Sequence, residues 1–167
     1  MHLPENVGGP LGVSGFKSFR IEVHYNNPTF DSGILDSSGI RFFYTSKKRQ
    51  YDLGVFPTGD PYVGLYGEPV SEKSGLAQHV FHCESACSES IVTEPLTVFR
   101  EQLHMHKAGV SMSNEQLRNG EVVRRSEIEY WDFDQQGAFA VPQAEYNVLP
   151  GDAFRTTCNF NAANDTV

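Results

Sequence analysis

Basic residues are scarce in this 167-residue chain. Thirteen Lys and Arg stand against 21 Asp and Glu, for a formal charge of -8. Nucleic-acid binding needs a basic footprint and an anionic membrane attracts polybasic segments, so the balance argues against both. A run of about 18 apolar residues is also missing, which excludes a membrane-spanning helix in this chain. Met1-His2-Leu3-Pro4-Glu5-Asn6 lacks the basic start and apolar core of a signal peptide, so none is expected there. Cysteine is sparse and odd in number: Cys83, Cys87 and Cys158. Three cannot all pair within one chain, and the C-x3-C spacing of Cys83 and Cys87 has no second pair to complete a zinc knuckle. The count leaves open free thiols or partners outside the chain. No amphipathic helix and no internal repeat stand out. The length suits one domain, or one domain plus part of another, and a hydrophobic share of 39% is enough for a core.

What is present reads as short strands between turns. Residues 18–25 alternate, with Phe19, Ile21, Val23 and Tyr25 on one face and Arg20, Glu22 and His24 on the other, before Asn26-Asn27-Pro28 breaks the run. Further strands are expected at 39–45, 51–56, 78–82, 95–106, 110–118, 121–125, within 139–149, and at 153–160. Residues 57–75 read as irregular, and 83–87 as a loop. Asn119-Gly120 is a strong tight-turn signal, and Pro150-Gly151-Asp152 is another turn. Many short strands at close spacing predict an all-β fold, an antiparallel sandwich or barrel, with under about a fifth of residues helical.

One segment carries chemistry. In the expected strand 95–106, Phe99, Leu103 and Met105 share one face, while Arg100, Gln102, His104 and His106 share the other. Two imidazoles two residues apart on one face sit roughly 7 Å apart at Cα and can converge on one metal. Imidazole suits copper, zinc, iron and nickel. The same spacing also fits two solvent-exposed histidines. A cupin-type barrel uses H-x-H too, but it wants a Glu three or four residues later, where Gly109 and Val110 stand. Glu22 shares a face with His24 and is either an acceptor for its ring or an ordinary surface carboxylate. His82 reads as a loop histidine, and His2 and His79 have no supporting context. Tyr44, Tyr51, Tyr130 and Trp131 fit a core better than substrate walls.

Several segments together carry a resemblance. Phe19-Arg20-Ile21-Glu22-Val23-His24-Tyr25-Asn26-Asn27-Pro28 resembles the L-x-x-E-V-H-Y-x-N-P segment of the copper type II ascorbate-dependent monooxygenases. Asp36-Ser37-Ser38-Gly39-Ile40-Arg41 is similar to that family's D-S-S-G-I-R. Cys83 and Cys87 match its C-x3-C, Leu103-His104-Met105-His106-Lys107-Ala108-Gly109 its L-H-x-H-x-x-G, and Leu149-Pro150-Gly151-Asp152 with Thr157-Cys158 its L-P-G-D…T-x-C. The motifs follow the family's order over almost the whole chain.

The resemblance implies an antiparallel, jelly-roll-like β-sandwich belonging mainly to the second copper domain of a two-domain monooxygenase. Residues 1–28 would end the first copper domain, and 29–167 would form most of the second. His24 would be the third ligand of the first (H-site) copper, whose His pair is expected before Met1. His104 and His106 would be ligands of the second (M-site) copper, whose Met is expected beyond Val167. Met105 points away by alternation, and Met112 lies past Gly109. Cys83, Cys87 and Cys158 would pair with cysteines outside the chain and not with one another. The implied activity is hydroxylation of a C–H bond with O2 and ascorbate, on a small amine of phenethylamine type. The implied location is the secretory lumen or the extracellular space. There Asn164, in Asn164-Asp165-Thr166, would be a candidate N-glycosylation site.

Overall fold

The structure is a computed structural model that describes residues 3–12, 15–23, 25, 27–66, 75–135, 139–140 and 146–161. The chain divides into two units, Met1–Phe56 and Pro57–Val167.

In the first unit, β1 (Val7–Gly8) pairs in parallel with β2 (Tyr51–Asp52). The expected strands at 18–25 and 39–45 do not form a ladder among the described residues. They do meet, since Phe19 and Phe42 stack with ring centroids 4.7 Å apart. The reason is physical. Alternation sorts side chains onto two faces, but a strand exists only when its backbone N–H and C=O groups find a neighbour to bond. Of residues 51–56, only β2 pairs. Asp36 shapes its own loop, accepting hydrogen bonds from Ser38 N at 3.0 Å and from Tyr25 Oη at 2.6 Å. A run of Asp followed by Ser favours such local side-chain turns.

The second unit is an all-β sandwich with antiparallel ladders. Its main sheet has the order β3 (Leu76–Cys83), β10 (Ala153–Asn161), β6 (Gly109–Arg118), β7 (Glu121–Ile128). Two short ladders accompany it. β4 (Leu96–Val98) pairs with β9 (Tyr146–Val148), and β5 (Arg100–Glu101) pairs with β8 (Phe139–Ala140). The helices are short: α1 (Pro61–Tyr66), α2 (Ser85–Ile91) and a single 3-10 turn at Phe133–Gln135. α2 replaces the loop expected after Cys83, and α1 occupies part of the stretch read as irregular. Both are too short to show a helical period in sequence. No helix among the described residues is long and apolar enough to cross a membrane.

Turn chemistry sets the register. Asn119 (φ 54°) and Gly120 (φ 82°) are both left-handed, which joins β6 to β7 with the twist a hairpin needs. At Leu149-Pro150-Gly151-Asp152 the Asp152 N–H donates to the Leu149 carbonyl at 3.1 Å, with Gly151 at φ 83°. Pro at the second position and Gly at the third are the residues that such a turn demands. Asp152 then turns inward and is buried. Its carboxylate accepts from Leu149 N (2.7 Å), Gln116 Nε2 (2.6 Å) and Arg118 Nε and Nη2 (2.8 Å each). Burial pushes its pKa up, but the Arg118, Leu149 and Gln116 hydrogen bonds outweigh it and hold the carboxyl below its ordinary value. Around this hub Val92, Leu103, Met105, Val148 and Phe154 form the apolar core.

Candidate metal centre

The histidine segment is held at both ends. At its start, Glu101 of β5 points inward. Its carboxylate accepts from Arg124 and Ser126 of β7 and from the Tyr146 hydroxyl of β9. The Arg124 guanidinium also lies over the Tyr146 ring, 4.0 Å from its centroid. Burial, then the neighbouring Glu101 carboxylate, raises the Tyr146 hydroxyl above its ordinary value, so it stays a donor. At its far end the chain turns tightly, and Gly109 N donates to the His106 carbonyl at 2.9 Å. Gly109 is required there. A Cβ would stand 2.7 Å from Met105 Cβ and 3.0 Å from the His106 carbonyl oxygen.

Between these anchors the chain alternates as a strand does, although residues 102–106 pair with no strand among the described residues. Of the strand expected at 95–106, Leu96–Val98 and Arg100–Glu101 are paired among the described residues. Leu103 is 7% exposed and Met105 is 4% exposed, while Gln102, His104 and His106 face out. Burial of Leu103 and Met105 fixes the faces without help from a ladder.

The two imidazoles are brought together. Their ring centroids lie 5.3 Å apart with planes at 79°. An ion about 2.0 Å from one nitrogen of each ring would sit about 3 Å from each centroid, which allows a centroid separation of roughly 4.5–6 Å. The observed separation lies within that range, and imidazole nitrogens suit copper. Among the described residues no group of three His, Cys, Asp and Glu side chains gathers to hold a metal.

The other sequence candidates fall elsewhere. His24 and Asn164 lie outside the described residues. Glu22 makes an exposed ion pair with Arg20 at 2.8 Å. Cys83, Cys87 and Cys158 are free thiols in this structure. Burial, then Cys87 and Glu84, pushes Cys83 up to about 11, and burial raises Cys158, so neither is a ready nucleophile. His79, without context in the sequence, meets Asp60 at 3.0 Å. His82 faces outward at the rim of an open depression of about 450 Å³ on the main sheet, whose Glu115 is already tied to Arg125 and Arg155. Neither His104 nor His106 lines it.

Sequence reasoning missed two groups at the centre. One is Glu101, on the inward face with Leu103 and Met105; its position in the alternation was the available signal. The other is the pair Trp131 and Phe133, whose rings stand against His104 and His106, at 6.1 and 6.4 Å between centroids. Their spacing of two, matching that of the histidines, was a usable clue.

Comparison with known proteins places this arrangement. The model of the copper type II ascorbate-dependent monooxygenase C-terminal domain matches residues 65–167, a stretch that contains the whole histidine segment. The chain belongs to that monooxygenase family. It is 31% identical over 167 residues to tyramine beta-hydroxylase of Caenorhabditis briggsae, covering 96% of this chain and 27% of the relative. It is 33% identical to DBH-like monooxygenase protein 1 of Gallus gallus (96% and 27%). It is 32% identical to dopamine beta-hydroxylase of Rattus norvegicus (99% and 27%). The chain thus spans about a quarter of the length of these relatives.

Proposed function

We propose that this chain carries the substrate-oxidising copper site of a monooxygenase that inserts one oxygen of O2 into a benzylic C–H bond of a phenethylamine-like substrate. The observation that carries the reading is the His104–His106 pair, outward-facing and close enough to share an ion, within the stretch that matches the family's C-terminal domain. The reaction balances with one oxygen atom delivered to carbon, the other released as water, and two electrons and two protons drawn from ascorbate. Bound copper would supply the one-electron chemistry and the O2 activation that side chains lack.

The chain's own residues do the positioning. His104 and His106 would hold that copper. Leu103 and Met105, buried, keep both imidazoles outward, and Glu101 fixes the segment to β7 and β9. In this reading residues 1–28 end the first copper domain, with His24 a ligand of its electron-relay copper, and 29–167 form most of the second. Cys83, Cys87 and Cys158 would pair with cysteines elsewhere in the full polypeptide. The protein would work in the secretory lumen or outside the cell, where Asn164 could carry a glycan. The partners are an amine and O2.

The test expresses the chain within its longest open reading frame, loads it with copper, and supplies ascorbate, isotopically heavy O2 and a panel of phenethylamines. Hydroxylated product carrying one heavy oxygen, lost in H104A and H106A, supports the reading. The 167 residues alone are expected to bind copper weakly and not to turn over, because two imidazoles make an incomplete ligand set. A copper-loaded full-length protein that hydroxylates no amine overturns the hydroxylase reading in favour of a non-catalytic metal-binding or interaction module.

A further inference from the structure

We propose that Trp131 and Phe133 are positioning residues that brace the two histidine rings, one aromatic ring per imidazole; the proposal rests on the copper reading above. The geometry is a matched pair of edge contacts. Trp131 stands 6.1 Å from His104 with planes at 89°, and Phe133 stands 6.4 Å from His106 with planes at 77°. Both distances and angles fall in the edge-to-face range that aromatic rings prefer.

The match comes from the chain's own periodicity. Residues 131–134 alternate half-buried and exposed, so Trp131 and Phe133 share a face with Asp132 and Asp134 turned outward. A spacing of two therefore meets a spacing of two. The backbone fixes the separation of the two segments. Trp131 N donates to the Val110 carbonyl at 2.8 Å, one residue past the Gly109 whose N–H closes the histidine turn. Both segments are thus tied to the first two residues of β6. The Trp131 indole Nε1 is buried, with no hydrogen-bond partner among the described residues.

Bracing matters because His104 and His106 are exposed and residues 102–106 have no ladder among the described residues. The two edge contacts narrow the orientations that each imidazole can take, so less order has to be imposed when an ion binds. With the aromatic pair in place the rings are held edge-on to each other before any ion arrives, as an outer partner does for a metal-ligating histidine.

The chain has one tryptophan, so its emission reports Trp131 alone. Copper(II) is titrated into the 167-residue chain, with tryptophan emission and copper paramagnetic resonance read together. A His104→Ala/His106→Ala double variant corrects for binding elsewhere. The expected result is quenching that tracks a signal from two nitrogen ligands, both absent in the double variant. Trp131→Leu and Phe133→Leu should each weaken copper binding about 3- to 10-fold, while Trp131→Phe and Phe133→Tyr stay within about twofold because a ring edge remains. A two-nitrogen signal that develops without quenching, or that is equally tight in both Leu variants, overturns the brace and leaves the copper site standing. Absence of a two-nitrogen signal in the parent at saturating copper overturns the brace, because a preordered pair should bind without a third ligand; the copper reading is then decided by the hydroxylation test on the longer polypeptide. If the Leu variants fail to fold, Trp131→Met and Phe133→Met take their place, and copper binding as tight as the parent's overturns the brace.

Discussion

Within Pro57–Val167, Met105 and Phe154 are 4% and 3% exposed, whereas within Met1–Phe56, Ile21 and Phe42 remain 53% and 51% exposed. Both regions contain alternating stretches with comparable side chains. The difference lies in the backbone. β6 and β10 each have neighbours on both edges, so alternation there becomes two sheet faces, one of which closes over the core. Among the described residues, 18–23 and 39–45 gain the Phe19–Phe42 stack and no ladder. Hydrophobic period tells which side chains belong together, and hydrogen-bonded neighbours decide whether that grouping becomes a wall.

The contrast can be broken most directly by core truncation. Phe154→Ala is expected to cost about 4 kcal/mol of stability, while Phe42→Ala costs under about 1 kcal/mol; urea unfolding of the two variants measures both. Equal losses would mean that the two regions are one cooperative core. Next comes Asp152→Asn, expected to cost about 3 kcal/mol because Arg118 would lose its buried counter-charge. The sign with pH follows from the lowered folded pKa. The unfolded chain takes up protons first, so the stabilisation is present above the ordinary aspartate value of 3.8 and fades as pH falls through the lower folded value. Acid unfolding of D152N should accordingly be shallower than that of the parent.

Smaller effects sharpen the comparison inside the second unit. Gly109→Ala should cost about 2 kcal/mol, since the new Cβ meets Met105 at a distance that real contacts do not reach. It should also shift the His106 ring signals in an NMR spectrum, where a mutation remote from the turn would not. Gly120→Ala, forced to keep φ 82°, should cost about 1 kcal/mol and leave the His104 and His106 signals in place. A larger penalty at Gly120 than at Gly109 would mean that the hairpin, not the histidine turn, is the tighter constraint.

The second unit was largely legible in the sequence because its turns are spelled out. Asn119-Gly120 and Leu149-Pro150-Gly151-Asp152 each specify one backbone path, and the strands between them had only to follow. The outward pairing of His104 and His106 was readable because Leu103 and Met105 must go in. The helix at Ser85–Ile91 was not legible, since seven residues are too few to establish a helical period. Glu101, Trp131 and Phe133 escaped for a different reason. Alternation places Glu101 inward and gives Trp131 and Phe133 the histidines' spacing, but it does not say which partners they meet, 23 to 45 residues away in the case of Glu101. The strands expected in the first unit failed because alternation carries no information about whether a neighbour is present.

Asp152 has a consequence for how the chain reaches its fold. Its carboxylate collects groups from β6 and from its own turn, 34 and 36 residues distant for Arg118 and Gln116. If β10 slid by a single residue against β6, Arg118 and Gln116 would face away and a charged group would be sealed in with no partner. A misaligned sheet is therefore disfavoured by its own electrostatics. Asp152 thus acts as a register key for the main sheet, a role it plays from a turn outside every strand.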